Sequence, residues 1–340
     1  MSNQKVIRVG VIGAGRIGKI HAENLATRIP GVVVSAIADI NQQAAQALAE
    51  KLHVVNALSD YRKIIEDKNI DAVAVCSSTD THADLIIAAA NAGKHVFCEK
   101  PVDHSLDRID KAINAVSKAG VQCQIGFNRR FDPNFKKLHD LVQTGKIGDL
   151  HILRITSRDP APPPAEYVKL SGGMFLDMTI HDFDMARFLS GSEVEEVYAI
   201  GEVRVDPAIG AAGDIDTAVI TLKFANGAIG TIDNSRKAVY GYDQRAEVFG
   251  SGGMAATANN TPNSSVYSNA DGVVSEKPLY FFLERYMESF VAEMRDFINA
   301  IREGNPTPVN VFDGRKPVVI AMAATRSMLE NRPVKLSEIE

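Results

Sequence analysis

A glycine-rich turn between an apolar run and a helical pattern constrains this chain most. Residues 8–12 predict a buried strand, and the glycines that follow, Gly13, Gly15 and Gly18, have the spacing G-x-G-x-x-G. In this motif one glycine makes a tight turn, one lets the backbone approach a pyrophosphate, and one packs the helix against the strand. The N-terminus of the next helix directs unpaired N–H groups at that anion. The turn therefore predicts a dinucleotide-binding βαβ unit, with the same unit lacking a nucleotide as the alternative.

An acidic residue at the end of the second predicted strand supports the nucleotide interpretation. Asp39 ends the run 32–39, about 20 residues beyond the last glycine, where the fingerprint places a carboxylate for the ribose hydroxyls. Its charge would repel a 2′-phosphate, so it predicts NAD rather than NADP. Arg16, inside the glycine motif, favours NADP instead, because a guanidinium can bind the 2′-phosphate.

Length and composition exclude several classes of protein. A chain of 340 residues exceeds the usual size of one domain, and 45% hydrophobic residues suffice for two cores. A formal net charge of -5 and the lack of basic runs argue against nucleic-acid and membrane-surface partners. The first five residues lack a signal-peptide core, and no apolar run could span a bilayer. A cytoplasmic protein is therefore expected.

The three cysteines agree with this location. Cys76, Cys98 and Cys123 are odd in number and have no C-x-x-C spacing. They predict reduced, buried thiols rather than disulfides or metal ligands, and no metal is expected.

Strands and helices alternate over the first 127 residues. Strands are predicted at residues 8–12, 32–39, 72–76, 95–98 and 122–127, and helices at 19–28, 42–52, 83–92 and 106–119. Candidate helix caps are Asn41 or Asp39, Thr81, Gly93 and Gly120. The alternation predicts an α/β fold, with a doubly wound parallel sheet of the Rossmann type over residues 1–127.

The pattern changes from residue 128 onward. A helix at 134–144, a strand at 150–157, a rigid proline loop at 160–164 and a helix over 174–189 are predicted. Strands follow at 194–203, 217–224, 227–235 and 245–250, with Ala225-Asn-Gly227 as a hairpin turn. Residues 257–271 are expected to be irregular, and helices at 280–302 and 314–330 follow. Residues 128–340 therefore predict an α+β substrate and oligomerisation domain with a mostly antiparallel open sheet.

Three polar stretches follow strands of the predicted parallel sheet, where ligands of such sheets bind. Residues 76–82 offer hydroxyls for phosphate or ribose, and helix capping by Thr81 is the alternative. Glu99-Lys100-Pro101 could place an ammonium near a nicotinamide. The alternative is that Lys100 is an ordinary surface-exposed lysine in a loop. Residues 127–130 end the last strand and carry an asparagine and two arginines.

Asp177 and His181 are the pair in the second half most suited to chemistry. Their i, i+4 spacing on the predicted helix places both side chains on one face. An imidazole suits proton transfer from an alcohol, and a nearby carboxylate can orient it. From the sequence pattern alone, a hydrogen-bonded core histidine is the alternative. A metal site is disfavoured because His181 lacks a second histidine at ligand spacing.

These motifs together resemble a known family over nearly the whole chain. The glycine motif, Asp39, Glu99-Lys100-Pro101 and Asp177 with His181 resemble the NAD(P)-dependent glucose-fructose oxidoreductase/inositol dehydrogenase (Gfo/Idh/MocA) family. Residues 127–131, 157–160 and 172–184 most resemble bacterial inositol 2-dehydrogenases. The resemblance implies NAD-dependent oxidation of myo- or scyllo-inositol to the 2-keto inositol, a step of polyol metabolism, by a homotetramer.

The resemblance also implies residue roles. His181 would take the hydroxyl proton, Lys100 would stabilise charge on the same oxygen, and Asp177 would position both. The implied cofactor-binding residues are Gly13, Gly15, Arg16, Ile17, Gly18, Asp39, Ser77, Thr79, His82, Glu99 and Lys100. The implied substrate-binding residues are Lys100, Asn128, Arg129, Asp159, Asp177, His181 and Tyr242. Asp159 stands where relatives can carry an amide, which leaves the preferred isomer open.

Alternative functions remain open at this stage. They are a dehydrogenase of another sugar or polyol on the same fold, a non-catalytic dinucleotide-binding sensor, and an NAD-dependent glycosidase. Lys100, Asp177 and His181 argue against the sensor, because a pure binder needs no base beside a lysine. Cofactor reduction by a panel of polyols distinguishes these alternatives.

Overall fold

The protein is described here by a computed structural model covering residues 5–340. The chain forms two compact units, the first built from the chain up to Phe131 together with Glu288–Lys316, the second from Asp132–Met287 and Pro317–Glu340. The prediction of a single boundary after residue 127 differs from this division. The reason is an amphipathic helix whose Met294, Phe297 and Ile298 join the apolar core of the first unit.

The first unit contains a six-stranded sheet in the order β3-β2-β1-β4-β5-β6, with every pair parallel. Its strands are β1 (Ile7–Ile12), β2 (Val32–Ala38), β3 (Asn56–Leu58), β4 (Ala72–Val75), β5 (His95–Cys98) and β6 (Cys123–Ile125). The connecting helices are α1 (Arg16–Thr27), α2 (Gln42–Leu52), α3 (Arg62–Glu66), α4 (His82–Asn91) and α5 (Leu106–Ala119). Short 3₁₀ turns lie at Thr79–Thr81 and Asn128–Phe131. The predicted doubly wound sheet is confirmed.

Local rules explain some of the helix ends in this unit. The Asn41 side chain accepts hydrogen bonds from the N–H groups of Gln43 and Ala44, which confirms it as an N-cap. Gly120 ends α5 in the left-handed conformation that glycine adopts at low cost. Thr81 occupies the predicted N-cap position of α4, but its side chain makes no capping bond and its hydroxyl donates to Ser78 O instead.

The second unit is built on a seven-stranded sheet in the order β12-β11-β7-β10-β9-β8-β15. The strands are β7 (Leu150–Arg158), β8 (Val194–Glu202), β9 (Thr217–Phe224), β10 (Ile229–Ser235), β11 (Asp243–Gly250), β12 (Gly253–Ala256) and β15 (Val334–Lys335), with a separate hairpin of β13 (Val266–Asn269) and β14 (Gly272–Ser275). Only β10 and β7 run parallel in this sheet, and β9 and β10 form the predicted hairpin. The prediction of a mostly antiparallel sheet is confirmed.

Helices of the second unit lie between these strands along the chain. They are α6 (Pro133–Gln143), α7 (Ala165–Ser171), α8 (Met174–Asp177), α9 (Ile180–Ser190), α10 (Pro207–Ala211) and α11 (Phe282–Arg285), followed by α12 (Met287–Glu303) and α13 (Val311–Glu330), which cross the unit boundaries. A last 3₁₀ turn lies at Leu336–Glu338.

Three predictions in this half are wrong in detail. The single helix expected over residues 174–189 is divided into α8 and α9, because the N–H of Thr179 bonds back to Met174 O and the N–H of His181 to Met178 O. The helix expected at 280–302 is likewise divided between α11 and α12. The stretch 257–271, expected to be irregular, contains β13, whose four residues are all exposed.

The thiols are as predicted. Cys76, Cys98 and Cys123 are buried and unpaired. No helix within residues 5–340 combines the length and apolar character that crossing a membrane requires.

Candidate active site

The glycine turn after β1 leaves space for a ligand at one position only. At Gly13 the φ angle is +104° and an added Cβ would lie 2.5 Å from the Cys76 backbone. At Gly18 a Cβ would lie 2.0 Å from Gly13 O, so this glycine packs the helix against the turn. At Gly15 a Cβ would meet no atom within 4 Å. The turn therefore presents bare backbone to open space where α1 begins, as a phosphate-binding turn requires.

Asp39 is tied to this turn by its own carboxylate. Oδ2 accepts the N–H of Ala14 at 2.6 Å, and Oδ1 accepts the N–H of Asn41 at 2.8 Å. A carboxylate has about four acceptor positions, so each oxygen can still accept a hydroxyl. Asp39 is thus fixed at the carboxyl end of β2 with acceptor capacity to spare.

A cavity of about 440 Å³ opens between these groups. Its walls come from the carboxyl ends of β1, β2 and β4 and from the segments that follow these strands and β3. They include Gly13, Gly15, Asp39, Ile40, Tyr61, Cys76, Ser77, Ser78 and Thr81. Burial, followed by the charges of Glu99 and Glu293, raises the pKa of the Cys76 thiol well above its ordinary value. The cavity wall therefore carries a neutral thiol, which is a poor nucleophile.

The loop after β4 is held by internal hydrogen bonds. Ser77 Oγ lies 2.7 Å from Thr81 Oγ1, and Thr79 begins the 3₁₀ turn that follows. His82 is buried, with Nδ1 2.8 Å from Pro101 O and Nε2 3.1 Å from Ser77 O. His82 thus joins this loop to the loop after β5, and its predicted contact with a cofactor stays a prediction. Ser77 lies in the wall of the cavity.

The loop after β5 begins with a buried acid and a half-buried lysine. Glu99 Oε1 lies 2.7 Å from His21 Nε2, and Lys100 follows directly. Asn128 and Arg129 lie in the 3₁₀ turn after β6 and are both buried. None of these residues belongs to the described walls of the cavity.

In the second unit, Asp177 is held by two side chains that sequence reasoning missed. Tyr167 donates its hydroxyl to Asp177 Oδ1 at 2.8 Å, and Arg236 Nη1 donates to Oδ2 at 3.0 Å. Arg236 is 2% exposed, so this ion pair is shielded from water. Neither partner stands in a motif, and only the fold brings them to Asp177.

The division of the predicted helix changes how Asp177 and His181 are related. Asp177 is the last residue of α8 and His181 the second residue of α9. The prediction that both lie one turn apart on a single helix is therefore wrong, although four residues still separate them. The buried Thr179 between the helices donates to Asn234 Oδ1 at 2.6 Å, and Asn234 donates to Asp182 at 2.9 Å.

One edge of the second sheet collects the remaining predicted substrate residues. Arg158, Ser235 and Asp243 are register partners where β7, β10 and β11 meet, so the residues next to them lie at the same edge. Asp159 donates its N–H to Ser235 O at 2.9 Å, and Tyr242 packs edge-on between the rings of Phe281 and Tyr286. This edge therefore carries Asp159, Arg236 and Tyr242, and Arg236 links it to Asp177.

Known protein families match segments of both units of the chain. A model described as the oxidoreductase family with an NAD-binding Rossmann fold matches residues 7–127, and one described as the GFO/IDH/MocA C-terminal domain matches residues 135–256. The chain is 53% identical over 333 residues to the myo-inositol 2-dehydrogenase of Thermotoga maritima, covering 98% of this chain and 99% of that protein. It is 44% identical to the inositol 2-dehydrogenase of Rhizobium meliloti, with 97% and 99% covered. The scyllo-inositol dehydrogenase of Lactobacillus casei, solved with NAD(H) and scyllo-inositol, has a TM-score of 0.92 at 32% identity, with 98% and 100% covered.

Proposed function

This chain belongs to the GFO/IDH/MocA family of oxidoreductases, and from that premise we propose that it is an NAD-dependent inositol 2-dehydrogenase. It oxidises one hydroxyl of myo- or scyllo-inositol to the ketone of a 2-keto inositol. The observation that carries the proposal is the 53% identity to the Thermotoga maritima enzyme over 98% of this chain. We place it in the cytoplasm, since three unpaired thiols suit a reducing compartment.

The residues of the first unit fit NAD. The open backbone at Gly15 and the start of α1 suit the pyrophosphate, and the Asp39 carboxylate suits the two ribose hydroxyls. Gly13, Gly18, Arg16, Ile17, Ser77, Thr79, His82, Glu99 and Lys100 complete the proposed cofactor-binding set. When bound, NAD supplies the acceptor for the hydride that leaves the substrate carbon.

The remaining roles are assigned to residues of the chain itself. His181 is the proposed base that takes the proton of the reacting hydroxyl, and the Lys100 ammonium stabilises the negative charge that develops on that oxygen. Asp177 is the proposed orienting carboxylate, with Tyr167 and Arg236 holding it in turn. Hydroxyls of the polyol are assigned to Asn128, Arg129, Asp159 and Tyr242, whose side chains donate and accept hydrogen bonds.

The experiment that tests this function is NADH production from myo-inositol, scyllo-inositol, chiro-inositol, glucose and xylose, measured side by side. We expect kcat/KM to be highest for myo- or scyllo-inositol. A preference for glucose or xylose would favour the other sugar dehydrogenase, and no reduction with any polyol would favour a sensor. Sugar release from a glycoside without net NADH would favour the glycosidase.

Asp39 is expected to select NAD over NADP. Hydrogen bonds to a charged group contribute about 1.5–3 kcal/mol, so Asp39→Ala should raise the Kd for NAD by about 10- to 100-fold. It should also narrow the gap to NADP, since the charge that repels a 2′-phosphate is gone. Asp39→Asn is the matched comparison, because its single amide oxygen can still accept the N–H of Ala14 while the charge and the second acceptor oxygen are lost. Equal use of NAD and NADP by the unmodified enzyme would contradict the assignment.

We further propose that the enzyme is a homotetramer assembled through the open face of the second sheet. Ile200 is paired with Val219, and Ile229 and Phe249 both pair with Ile152, so their side chains share one face. The side chains of Ile200, Val219, Ile229 and Phe249 are each roughly half exposed. Alternate residues of β9 are buried on the opposite face of the sheet. An exposed apolar sheet face of this kind is typical of an interface between subunits.

A charge on this face is expected to divide the tetramer. Val219→Glu would bury a carboxylate without a partner at the interface, so sedimentation should report a smaller species than the fourfold chain mass of the unmodified protein. Val55→Glu is the control, since Val55 is 93% exposed in the first unit. A monomeric unmodified protein would contradict the proposal.

A further inference from the structure

A buried cluster of three titratable side chains lies in the first unit, and only one of them, Glu99, has a role proposed above. His21 belongs to α1, Glu99 follows β5, and Glu293 belongs to α12. His21 Nε2 lies 2.7 Å from Glu99 Oε1 and 3.8 Å from Glu293 Oε1. One donor or acceptor atom from each residue lies within 4.8 Å of the others. Three distant segments thus place an imidazole and two carboxyls together in the interior.

Packing fixes the orientation of the imidazole. The His21 ring meets Phe97 edge-on at 4.8 Å and Phe290 at 5.7 Å. Its Nδ1 has no hydrogen-bond partner within the described part of the chain. An imidazole with its proton on Nε2 therefore donates to Glu99 and leaves Nδ1 as an apolar-facing acceptor. The 2.7 Å separation between His21 Nε2 and Glu99 Oε1 is that of a direct hydrogen bond.

Glu293 is the neutral member of the cluster. Complete burial, followed by the charge of Glu99, raises the pKa of Glu293 well above its ordinary value. Neither of its carboxyl oxygens has a hydrogen-bond partner in the region the structure describes. A second buried negative charge beside Glu99 would be costly, so a protonated Glu293 lets Glu99 alone carry the charge that accepts the His21 bond.

Glu99 connects this cluster to the next residue along the chain. Its Oε2 accepts the backbone N–H of Lys100 at 3.3 Å, and its own N–H donates to Val75 O at 3.0 Å. A Cβ at Gly126 would lie 3.1 Å from the Glu99 carboxyl group, so a larger residue at this position would crowd the carboxyl group. The Glu99 carboxyl group is therefore confined by His21, the Lys100 N–H and Gly126, directly beside Lys100.

We propose that His21 and Glu293 are positioning residues for Lys100, and that they act by holding the Glu99 carboxylate in one orientation. The inference rests on the proposed catalytic role of Lys100. A displaced Glu99 would release the Lys100 backbone, and small misplacements of a catalytic group are costly to the rate. His21 and Glu293 thereby support the reaction without touching substrate.

The test compares His21→Phe with Lys100→Met, singly and combined. His21→Phe keeps an aromatic ring beside Phe97 and Phe290 and removes both ring nitrogens, including the Nε2 donor to Glu99. We expect kcat for inositol oxidation to fall by about 10- to 100-fold with little change in the Kd for NAD. His21→Gln, which restores an N–H donor, should recover part of the loss.

The double variant decides between positioning and general damage. In the Lys100→Met background, His21→Phe should lower kcat no further, because the group being positioned is already absent. Independent, multiplicative losses would overturn the inference. If Lys100→Met alone leaves hydride transfer intact, the proposed catalytic site fails instead, so the two failures are distinguishable. One metal ion bound per chain at His21, Glu99 and Glu293 would also overturn the inference, because the three side chains would then be metal ligands.

Thermal unfolding of Glu293→Gln tests the neutral state of Glu293. The folded protein keeps a proton that the unfolded chain loses once pH exceeds the ordinary carboxyl pKa, so the wild type loses stability as pH rises. Glutamine does not titrate, and the groups that face it, Glu99, His21 and Cys76, are present in both proteins. The Tm of the variant relative to wild type should therefore increase between pH 5 and pH 8. A constant difference would show that Glu293 is ionised, which would overturn the cluster.

Discussion

Replacement of His181 by alanine is expected to lower kcat for inositol oxidation by about 10²–10⁴-fold, the range found for a positioned acid–base group. The physical reason is that the hydroxyl must lose its proton as the hydride leaves. Without an imidazole, water must take that proton, and water is a much weaker base. The Kd for NAD should change little, because His181 lies in the second unit and the nucleotide cavity belongs to the first.

The pH profile gives a second measurement on the same variant. In the unmodified enzyme, oxidation should rise with pH through the titration of one base, since only the neutral imidazole can accept a proton. In His181→Ala this rise should disappear. His151→Ala is the matched control, because His151 is an exposed histidine on β7 of the same unit. A His181 variant with near-full activity and an unchanged profile would assign the base to another residue.

The sequence predicts the first unit well because its signals are local. The apolar run of β1, the glycines after it and Asp39 at the end of β2 each act within a few residues, and the structure places them around one cavity. The elements that were missed, β3 and α3, are three and five residues long. Such short elements carry too little periodicity to be recognised, and tertiary contacts rather than propensity stabilise them.

The second unit shows where local reasoning ends. A continuous helical pattern runs across residues 174–189, yet the chain breaks at Thr179, whose hydroxyl donates to Asn234 on β10. That partner is 55 residues away, so no window of sequence contains this contact. The same holds for Arg236, which reaches Asp177 only because β10 ends beside α8. The hydrophobic periodicity of a sequence does not predict which distant side chains the sheet brings into contact.

The unpredicted cluster of His21, Glu99 and Glu293 follows the same logic. His21 falls on the buried face of α1 and Glu293 on that of α12, and in the sequence each reads as a polar interruption of an apolar stripe. Because the chain returns to the first unit at α12, Glu293 lies close to His21 in the fold. A buried polar residue that breaks a helical stripe is thus a sign of a distant partner, although the sequence alone does not name it.

Replacement of Lys100 by methionine is expected to slow hydride transfer by at least about 10²-fold, as for the loss of one donor to a developing oxyanion. Methionine keeps most of the apolar stem and removes the charge and three donors. If the ammonium stabilises charge that appears only as the proton leaves, the loss falls on turnover and not on ground-state binding. NAD should therefore bind almost normally. Lys100→Arg should not restore the rate fully, since a planar fork replaces a compact ammonium poorly.

Single-turnover NADH formation, measured beside direct titration with NAD, separates the two steps for Lys100→Met. Lys118→Met is the matched control, because Lys118 is an exposed lysine in the last turn of α5 in the same unit. It should leave both the rate of NADH formation and the Kd for NAD unchanged. If Lys100→Met instead abolishes NAD binding and leaves the chemical step at its normal rate, Lys100 anchors the cofactor only. The charge on the reacting oxygen must then be stabilised by another group.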